Sequence, residues 1–157
     1  MPLEEYQRKR NFGETGEPMG MVKEANDKGD KIFVIQKHDA RNLHYDLRLE
    51  IGGVLRSWAV PKEPPTVEGV KRLAVQTEDH PLEYADFEGV IGEGLYGAGT
   101  VEIWDKGVFK PEKIDEGEIL FELDGMKMKG KFVLIKLKPT PRFKGVNNWL
   151  FFRKRGG

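Results

Sequence analysis

The sequence predicts an all-β protein with minor helix: a single antiparallel β-barrel, closed or nearly closed, that follows a flexible N-terminal arm. Many short segments alternate apolar and polar residues, which is the period of a half-buried strand. Clusters of glycine, proline, asparagine and aspartate separate these segments at fairly even spacing, and helical periodicity is scarce. Closing such a sheet into a barrel removes its exposed edges. The length of 157 residues suits one domain.

Charge and cysteine content narrow the function classes. Lysine plus arginine and aspartate plus glutamate both number 26, so no global positive field is available to hold a long nucleic acid. A polyanion must therefore be bound by a local patch. Cysteine is absent, which excludes disulfides and thiolate metal sites. With no apolar run long enough for a membrane span, we expect a soluble, cytoplasmic protein that makes no membrane contact.

Residues 1–30 form the predicted arm, and residues 31–157 form the predicted barrel domain. The arm is polar, contains glycine and shows no sustained periodicity. Its one basic cluster is Arg8–Arg10. This cluster is either part of a frayed, solvated terminus, which is the common case, or part of a flap that covers the phosphates of a substrate.

The first two predicted strands form a hairpin that carries polar and charged side chains on one face. Lys31–His38 is strand-like, and the turn-prone residues Asp39–Asn42 favour an antiparallel return. In the second strand His44, Asp46 and Arg48 alternate with apolar residues. Residues two apart in a strand share a face at roughly 6.5 Å spacing. The hairpin therefore aligns an imidazole, a carboxylate and a guanidinium.

The hairpin also predicts a metal site, because it returns His38 to the neighbourhood of His44 and Asp46. Two histidines and one carboxylate are typical ligands of a divalent metal that keeps open coordination positions. Arg48 could hold an anionic group that the metal also contacts. The same pattern also fits a solvated polar strand face. The register of Arg48 and the small number of histidines, three in the chain, favour the metal site.

The next segments add two further strands and a third histidine. Gly52-Gly53 supplies a two-residue turn into a strand that stops at Pro61, and the alternation of Lys71–Thr77 allows Arg72 to face the same anion as Arg48. His80 lies in an acidic loop, where a surface position is the default. Pro81 after it favours an extended conformation that opens into one helical turn.

A glycine-rich segment, Gly92–Gly97, satisfies the pattern G-x-G-x-x-G. A dinucleotide-binding loop requires a strand before it and a helix after it, yet Thr100–Asp105 reads as a strand. We therefore interpret these glycines as bulges and tight corners of a curved sheet. The remaining predicted strands are Val101–Trp104, which ends in a turn at 105–107, and then 118–123, 131–138 and 148–153.

Four motifs together closely resemble the 3′-phosphoesterase domain of the bacterial end-joining ligase D and its stand-alone archaeal and bacterial relatives. They are H-D-A-R-N-L-H-Y-D-L-R-L-E, W-A-V-P-K-E-P-P, T-E-D-H-P-L-E-Y and G-E-G-L-Y-G-A-G-T-V-E-I-W-D. They occur in the order that the family shows. The resemblance extends from about Tyr6 to Arg153, nearly the whole chain.

The resemblance implies roles for residues outside the hairpin. His80 and Tyr84 would join Arg48 as catalytic residues, His80 by binding phosphate or protonating the leaving oxygen and Tyr84 by donating to a phosphoryl oxygen. Lys62 becomes a secondary phosphate-binding candidate beside Arg72. In the arm, the family carries an Arg-Asp pair and a downstream glutamate that act on the substrate. Arg10 and Glu17 match them.

One arm position departs from the family, because Asn11 stands where the pair has aspartate. The step that this departure concerns is the removal of a 3′-terminal ribonucleoside.

The spacing and the resemblance together predict a manganese-dependent 3′-phosphomonoesterase and 3′-phosphodiesterase that acts on DNA ends and leaves a 3′-OH. Co²⁺ or Zn²⁺ could replace Mn²⁺. A separate ligase and polymerase would act next, and we expect a monomer.

Two alternative functions remain open from the sequence. A non-catalytic module could bind DNA 3′ ends with the same histidines and arginines and without turnover. A non-haem Fe(II) oxygenase also uses two histidines and a carboxylate on a β-barrel. The usual spacing of that class is H-x-D/E followed by a distant histidine, and the predicted ligand set differs from it because its other histidine, His38, precedes His44 and Asp46.

Overall fold

A computed structural model describes residues 3–20, 30–142 and 144–156. Residues 21–29 of the predicted arm lie outside this description. The strands are β1 (Lys31–Asp39), β2 (Leu43–Ile51), β3 (Val54–Val60), β4 (Lys71–His80), β5 (Gly89–Ile91), β6 (Gly99–Ile114), β7 (Glu118–Asp124), β8 (Lys129–Lys136) and β9 (Asn148–Arg153). Helix α1 spans Glu4–Arg8, and a 3₁₀ helix spans Leu82–Asp86. Neither of these short helices could cross a membrane, and no other helix occurs in the described residues.

Eight of the strands form a closed antiparallel barrel, as the sequence predicts. The order is β1-β2-β3-β4-β9-β8-β7-β6, and pairing of β1 with β6 closes the sheet. Strand β5 is an additional short strand that pairs with the first residues of β6. Closure gives the backbone groups of the eight strands partners on both sides, so the barrel has no free edge.

Side-chain alternation fills the barrel interior with apolar residues. On β1, Phe33 and Ile35 belong to the interior core, and on β2 Leu47 and Leu49 do. The residues between them therefore face outward. The four residues that the sequence assigns to the core, namely Phe132, Leu134, Trp149 and Phe151, are all buried in this interior cluster.

Strand β6 is longer than predicted, because the turn expected at 105–107 does not form. The strand continues from Gly99 to Ile114. The Asp105 carboxylate is buried and accepts hydrogen bonds from the backbone of the β7–β8 turn. A Cβ at Gly107 would lie 2.0 Å from the Asp124 carbonyl oxygen. Aspartate and glycine serve here as a buried acceptor and a close backbone contact rather than as turn residues.

A second apolar cluster covers the outer face of β1 and β3. It contains Val34, Leu55, Tyr84 and Ala85, together with Tyr6 of the arm. Helix α1 has five residues, too few to be stable alone, so packing of Tyr6 accounts for its formation. The described part of the arm thus lies against the barrel. The 3₁₀ helix after Pro81 confirms the predicted helical turn at Tyr84.

Candidate active site

The predicted metal ligands lie together at one end of the β1–β2 hairpin. His38 and His44 are directly paired across the two strands, and their ring centroids are 4.7 Å apart. The Asp46 Oδ2 atom is 3.5 Å from His38 Nδ1 and 3.3 Å from His44 Nε2. One ligand atom from each of the three residues lies within 4.8 Å of the others.

The hydrogen bonds of the two imidazoles leave the correct nitrogens free to bind a metal. His38 Nε2 is 2.7 Å from the Gly97 carbonyl oxygen, and His44 Nδ1 is 2.9 Å from the Asn42 carbonyl oxygen. A carbonyl only accepts, so these nitrogens carry the protons. In the neutral rings the lone pairs are then on His38 Nδ1 and His44 Nε2, which both face Asp46. Backbone carbonyls that fix the tautomer in this way are a regular feature of metal-ligating histidines.

The pKa shifts at this cluster follow from the same contacts. Burial raises the pKa of the Asp46 carboxyl, but Arg48 and the hydrogen bonds that His38 and His44 donate when their facing nitrogens are protonated outweigh burial, so the pKa is lowered overall. Burial lowers the pKa of His44, and its hydrogen bond to Asp46 and the charge of Asp46 raise it above its usual value. Asp46 is therefore ionised at neutral pH and available as a ligand.

Arg48 is buried and held in one orientation by three neighbours. Its Nε atom donates to Gln36 Oε1 at 2.6 Å, and Nη1 donates to Ser57 Oγ at 2.9 Å. Its Nη2 atom is 3.4 Å from Asp46 Oδ2. The guanidinium also lies over the Tyr84 ring, 4.8 Å from its centroid. A cation fixed in this way is preorganised to bind an anion beside the candidate metal ligands.

His80 ends β4 and is buried beside Arg48. Its Nδ1 atom donates to the Glu78 carbonyl at 3.0 Å, and its Nε2 atom is 3.4 Å from the Arg10 guanidinium, which can only donate. Burial, reinforced by Arg48 and Arg10, lowers the pKa of His80 well below its usual value. This shift favours the neutral form of the His80 ring while the cavity holds no anion.

The arm contributes Arg10 and Glu17 to the lining of the same site, as the family resemblance implies. Arg10 Nε donates to Glu17 Oε2 at 3.0 Å, and the Tyr84 hydroxyl donates to the same oxygen at 2.6 Å. Glu17 raises the pKa of Tyr84, although burial is the larger cause. The side chain of Asn11 is exposed, and its Oδ1 accepts from the backbone of Gly13 at 3.0 Å.

Sequence reasoning did not assign three buried polar residues to this site, namely Gln36, Ser57 and Glu78. Gln36 links Arg48 to the 3₁₀ helix, since its Nε2 atom donates to the carbonyls of Tyr84 and Phe87. Glu78 Oε1 is 3.4 Å from Arg10 Nη1. The strand period could have identified Gln36, because it lies two residues before His38. The same spacing relates Glu78 to His80.

The structure does not bring Arg72 or Lys62 to this site, so that part of the prediction is corrected. Arg72 is eight residues from His80 on β4, which corresponds to roughly 26 Å of strand. Its Nε atom donates to the Glu63 carbonyl at 2.8 Å. Lys62 is exposed and lines the same separate cavity as Arg72.

The candidate active site is a cavity of about 270 Å³ on the outer face of the barrel wall. The charged side chains that line it are two guanidiniums and three carboxylates, which give a net charge of −1 while the histidines are neutral. They are Arg10, Arg48, Glu17, Asp46 and Glu78. A phosphate would enter this cavity unfavourably unless a divalent cation reversed the balance to +1.

Comparison with known proteins agrees with the motifs. Residues 36–136 match the family model of the DNA ligase D 3′-phosphoesterase domain. This segment contains the three candidate metal ligands, Arg48, His80 and Tyr84. It begins after the arm, so Arg10 and Glu17 lie outside the matched range.

The curated relatives are multifunctional non-homologous end joining proteins named LigD. The protein of Pseudomonas aeruginosa is 52% identical over 140 residues, which cover 86% of this chain and 17% of the relative. That of Mycobacterium tuberculosis is 49% identical over 138 residues, covering 85% and 18%. That of Mycolicibacterium smegmatis is 44% identical over 164 residues, covering 98% and 20%. The chain thus spans about a fifth of the length of these relatives, and it belongs to the DNA ligase D 3′-phosphoesterase domain family.

Proposed function

We propose that this chain is a metal-dependent phosphoesterase that heals DNA 3′ ends by removing a 3′-phosphate to leave a 3′-OH. The observation that carries the proposal is the convergence of two imidazole lone pairs and a carboxylate oxygen beside a fixed guanidinium. This arrangement presents a metal and an anion site within one cavity. The family membership supports a phosphoester as the bond that is cleaved.

The donor set of His38, His44 and Asp46 fits a divalent transition metal. Mn²⁺ suits a mixture of imidazole and carboxylate ligands, and Co²⁺ or Zn²⁺ also accept such ligands. When bound, the metal supplies a Lewis acid that polarises a phosphoryl oxygen and favours attack by water. The protein contributes ligands that Gly97 and Asn42 already orient.

The other side chains bind and orient the phosphate. Arg48 holds nonbridging oxygens and stabilises their charge as water attacks, and it needs no reorganisation to do so. Burial favours the neutral form of His80 in the free protein, and a bound dianion would favour its protonated form because opposite charge raises the pKa of histidine. Tyr84 donates to Glu17 in the free protein, and we propose that it donates to a phosphoryl oxygen when substrate is bound.

We also propose a second activity, the removal of a 3′-terminal ribonucleoside from a DNA strand by hydrolysis of its P–O5′ bond, which leaves a 3′-phosphate on the strand. Arg10 and Glu17 are the arm residues for this step. They lie in the cavity with the metal ligands and also border an adjoining cavity of about 220 Å³. The adjoining cavity offers a place for the nucleoside that leaves.

The proposed substrates are primer-template DNA ends that carry a 3′-phosphate or a 3′-ribonucleotide. The relatives are named for end joining, so we propose that a separate ligase and polymerase use the 3′-OH that this chain produces. We further propose a monomer that acts in the cytoplasm.

The test uses a 5′-labelled primer-template that ends in a 3′-phosphate or in one ribonucleotide. We expect conversion to a 3′-OH with Mn²⁺, none with EDTA, and none by His44→Ala. Glu116→Ala, an exposed position in the β6–β7 turn, is the control and should match the wild type. Absence of turnover with Mn²⁺, Co²⁺ and Zn²⁺ would contradict the proposal. Binding of the DNA end without turnover would favour the non-catalytic module. A reaction that requires Fe²⁺ and O₂ would favour an oxygenase.

A further inference from the structure

Tyr96 is an exposed aromatic side chain at the edge of the candidate active site to which the proposed mechanism gives no role. It lines the cavity together with the metal ligands, yet 48% of its surface is exposed. Tyr84, the other tyrosine of the lining, is 2% exposed and donates its hydroxyl to Glu17. Tyr96 therefore presents a ring surface to solvent directly beside the proposed phosphate site.

The loop between β5 and β6 fixes the position of this ring. Two turn hydrogen bonds, from the Leu95 amide to the Gly92 carbonyl and from the Ala98 amide to the Leu95 carbonyl, define the loop. Gly97 has a φ of 76°, which lets the chain turn so that its carbonyl accepts from His38. Tyr96 is thus one residue away from the contact that orients a candidate metal ligand.

Two cationic side chains of the arm contact the Tyr96 ring. Lys9 Nζ donates to the Tyr96 hydroxyl at 3.3 Å and lies 4.8 Å from the ring centroid. The Arg10 guanidinium carbon is 5.2 Å from the same centroid. Cations near an aromatic face are attracted to its π electrons and restrict its orientation. The ring is positioned by protein contacts before any substrate arrives.

We propose that Tyr96 is the stacking surface for the base of the nucleoside that carries the 3′-phosphate. This inference rests on the proposed function, because it assumes that the phosphate occupies the cavity. The attached nucleoside must then lie at the cavity edge, where Tyr96 is exposed. Stacking on an aromatic ring tolerates every base, so it suits a protein that must accept any terminal nucleotide. Tyr96 is a binding residue without base preference in this scheme.

Kinetics on two matched substrates test the proposal. Both are primer-templates with a 3′-phosphate, one with a normal terminal base and one with an abasic terminal nucleoside. We expect Tyr96→Ala to raise KM for the base-bearing substrate by roughly tenfold, from the usual strength of base stacking, and to leave kcat nearly unchanged. KM for the abasic substrate should not change. Tyr96→Phe keeps the ring and should behave like the wild type.

Equal losses by Tyr96→Ala on the two substrates would overturn the proposal, since they would mean that the ring only holds the loop against the arm. A loss by Tyr96→Phe as large as that of Tyr96→Ala would also overturn it, because the Lys9 contact would then be the important one. Both outcomes differ from a failure of the proposed function, in which the wild type hydrolyses neither substrate.

A binding measurement without turnover provides the second readout. A strand that ends in a non-hydrolysable 3′-phosphonate, with 2-aminopurine as its terminal base, is titrated with protein in the presence of Zn²⁺. Stacking on Tyr96 should quench the fluorescence with wild type and Tyr96→Phe, and binding of the same strand by Tyr96→Ala should leave it bright. Equal quenching by all three proteins would contradict the stacking role even if no hydrolysis were observed.

Discussion

Asp46 and Asp105 are both buried carboxylates on strands of the same barrel, but they have opposite kinds of partner. Asp105 Oδ1 accepts from the backbone amides of Lys106 and Met126, and Oδ2 accepts from those of Lys127 and Met128. All four donors are amides that always carry a hydrogen. Asp105 is thereby satisfied within the fold and closes the β7–β8 turn onto β6.

The Asp46 carboxylate faces His38 Nδ1 and His44 Nε2, and each of these nitrogens carries a lone pair when its ring is neutral. Of these three neighbours only Arg48 always has a hydrogen to donate. Lone pairs directed at a carboxylate repel it unless a proton or a cation lies between them. A structural buried carboxylate such as Asp105 is surrounded by groups that donate hydrogens, whereas a candidate metal ligand such as Asp46 also faces lone pairs. Burial alone does not distinguish the two.

The same substitution at the two positions should separate activity from stability. At position 46, Asp46→Asn removes a charged ligand, and we expect kcat/KM for 3′-phosphate removal to fall by at least roughly 100-fold. The new amide can donate to the lone pair of His38 or His44, and Arg48 keeps Gln36 and Ser57. The melting temperature should therefore change by less than about 5 °C. Calorimetric titration with Mn²⁺ should show weakened binding, and retained Mn²⁺ affinity would contradict the assignment of Asp46 as a ligand.

Asp105→Asn should give the reverse result. Either orientation of the amide places its NH₂ group against two backbone N–H donors, which lose their acceptor. Each unsatisfied buried group costs roughly 1–3 kcal/mol, so we expect a loss of about 3 kcal/mol in the free energy of unfolding and a melting temperature lower by roughly 10 °C. Urea unfolding measures this loss. At 25 °C the folded variant should keep wild-type kcat, and a large loss of kcat would refute the separation.

His80 shares features of both carboxylates. Its Nδ1 atom donates to a backbone carbonyl, a contact within the fold, while its ring lines the candidate active site. Its folded pKa is below its unfolded value of about 6.5, so the native protein binds fewer protons there. The free energy of unfolding should then fall as pH drops from about 6.5 to 5, with a limiting slope of about 1.4 kcal/mol per pH unit. Urea titrations in EDTA measure it.

His80→Gln is the matched control for this pH dependence, because its amide can donate to the Glu78 carbonyl and accept from Arg10. Its stability should depend less on pH in this window. The raised pKa of His44 stabilises the fold mainly on the other side of the window, where its contribution is lost as pH rises above about 6.5. Parallel pH profiles of wild type and His80→Gln would show that His80 does not titrate below its usual range.

The barrel was predictable because its signals are local. Period-2 alternation and turn residues identify strands such as β2 without knowledge of their neighbours. The continuous β6 was not predictable, since Asp105 and Gly107 have the composition of a turn. Their role depends on the β7–β8 turn, which is about twenty residues away in sequence.

The candidate site divides in the same way. A short hairpin fixes the register of His38 against His44, so the sequence alone brought the three candidate ligands together. Arg72 lies at the other end of β4 from His80, and it shares the face of Ala74, which is buried in the barrel interior. A register shift opposite Leu55 and Ser57 interrupts the strand period and places His80 opposite Leu55 of the outer cluster, so counting by twos along β4 assigned Arg72 to the wrong face. The contacts of Arg10 with Glu17 and Glu78 depend on how the arm folds back. Only the family resemblance indicated Arg10 and Glu17.

Substitution of Asn11 by aspartate would add a third carboxylate to the comparison, and this one would be exposed. Its Oδ1 accepts from Gly13, and its side chain borders the adjoining cavity that Arg10, Glu17 and Tyr96 share with the active site. In Asn11→Asp one oxygen can keep the Gly13 contact while the second is available to the 2′-OH of a terminal ribonucleotide. An ionised acceptor binds a hydroxyl more strongly than an amide oxygen does.

We expect Asn11→Asp to raise the rate of ribonucleotide removal by roughly threefold, the usual limit for an exposed charge, and to leave 3′-phosphate removal unchanged. Asn11→Ser keeps a short uncharged acceptor and should show no gain. Labelled primers with the two kinds of 3′ end measure both rates in parallel. An equal change for both ends would mean that the new charge acts on the shared phosphate site, whereas a gain confined to the ribonucleotide would mean that the adjoining cavity receives the leaving nucleoside. Such a gain would also show that a carboxylate with one backbone contact can still bind the substrate, whereas Asp105, with all its acceptor positions occupied, cannot.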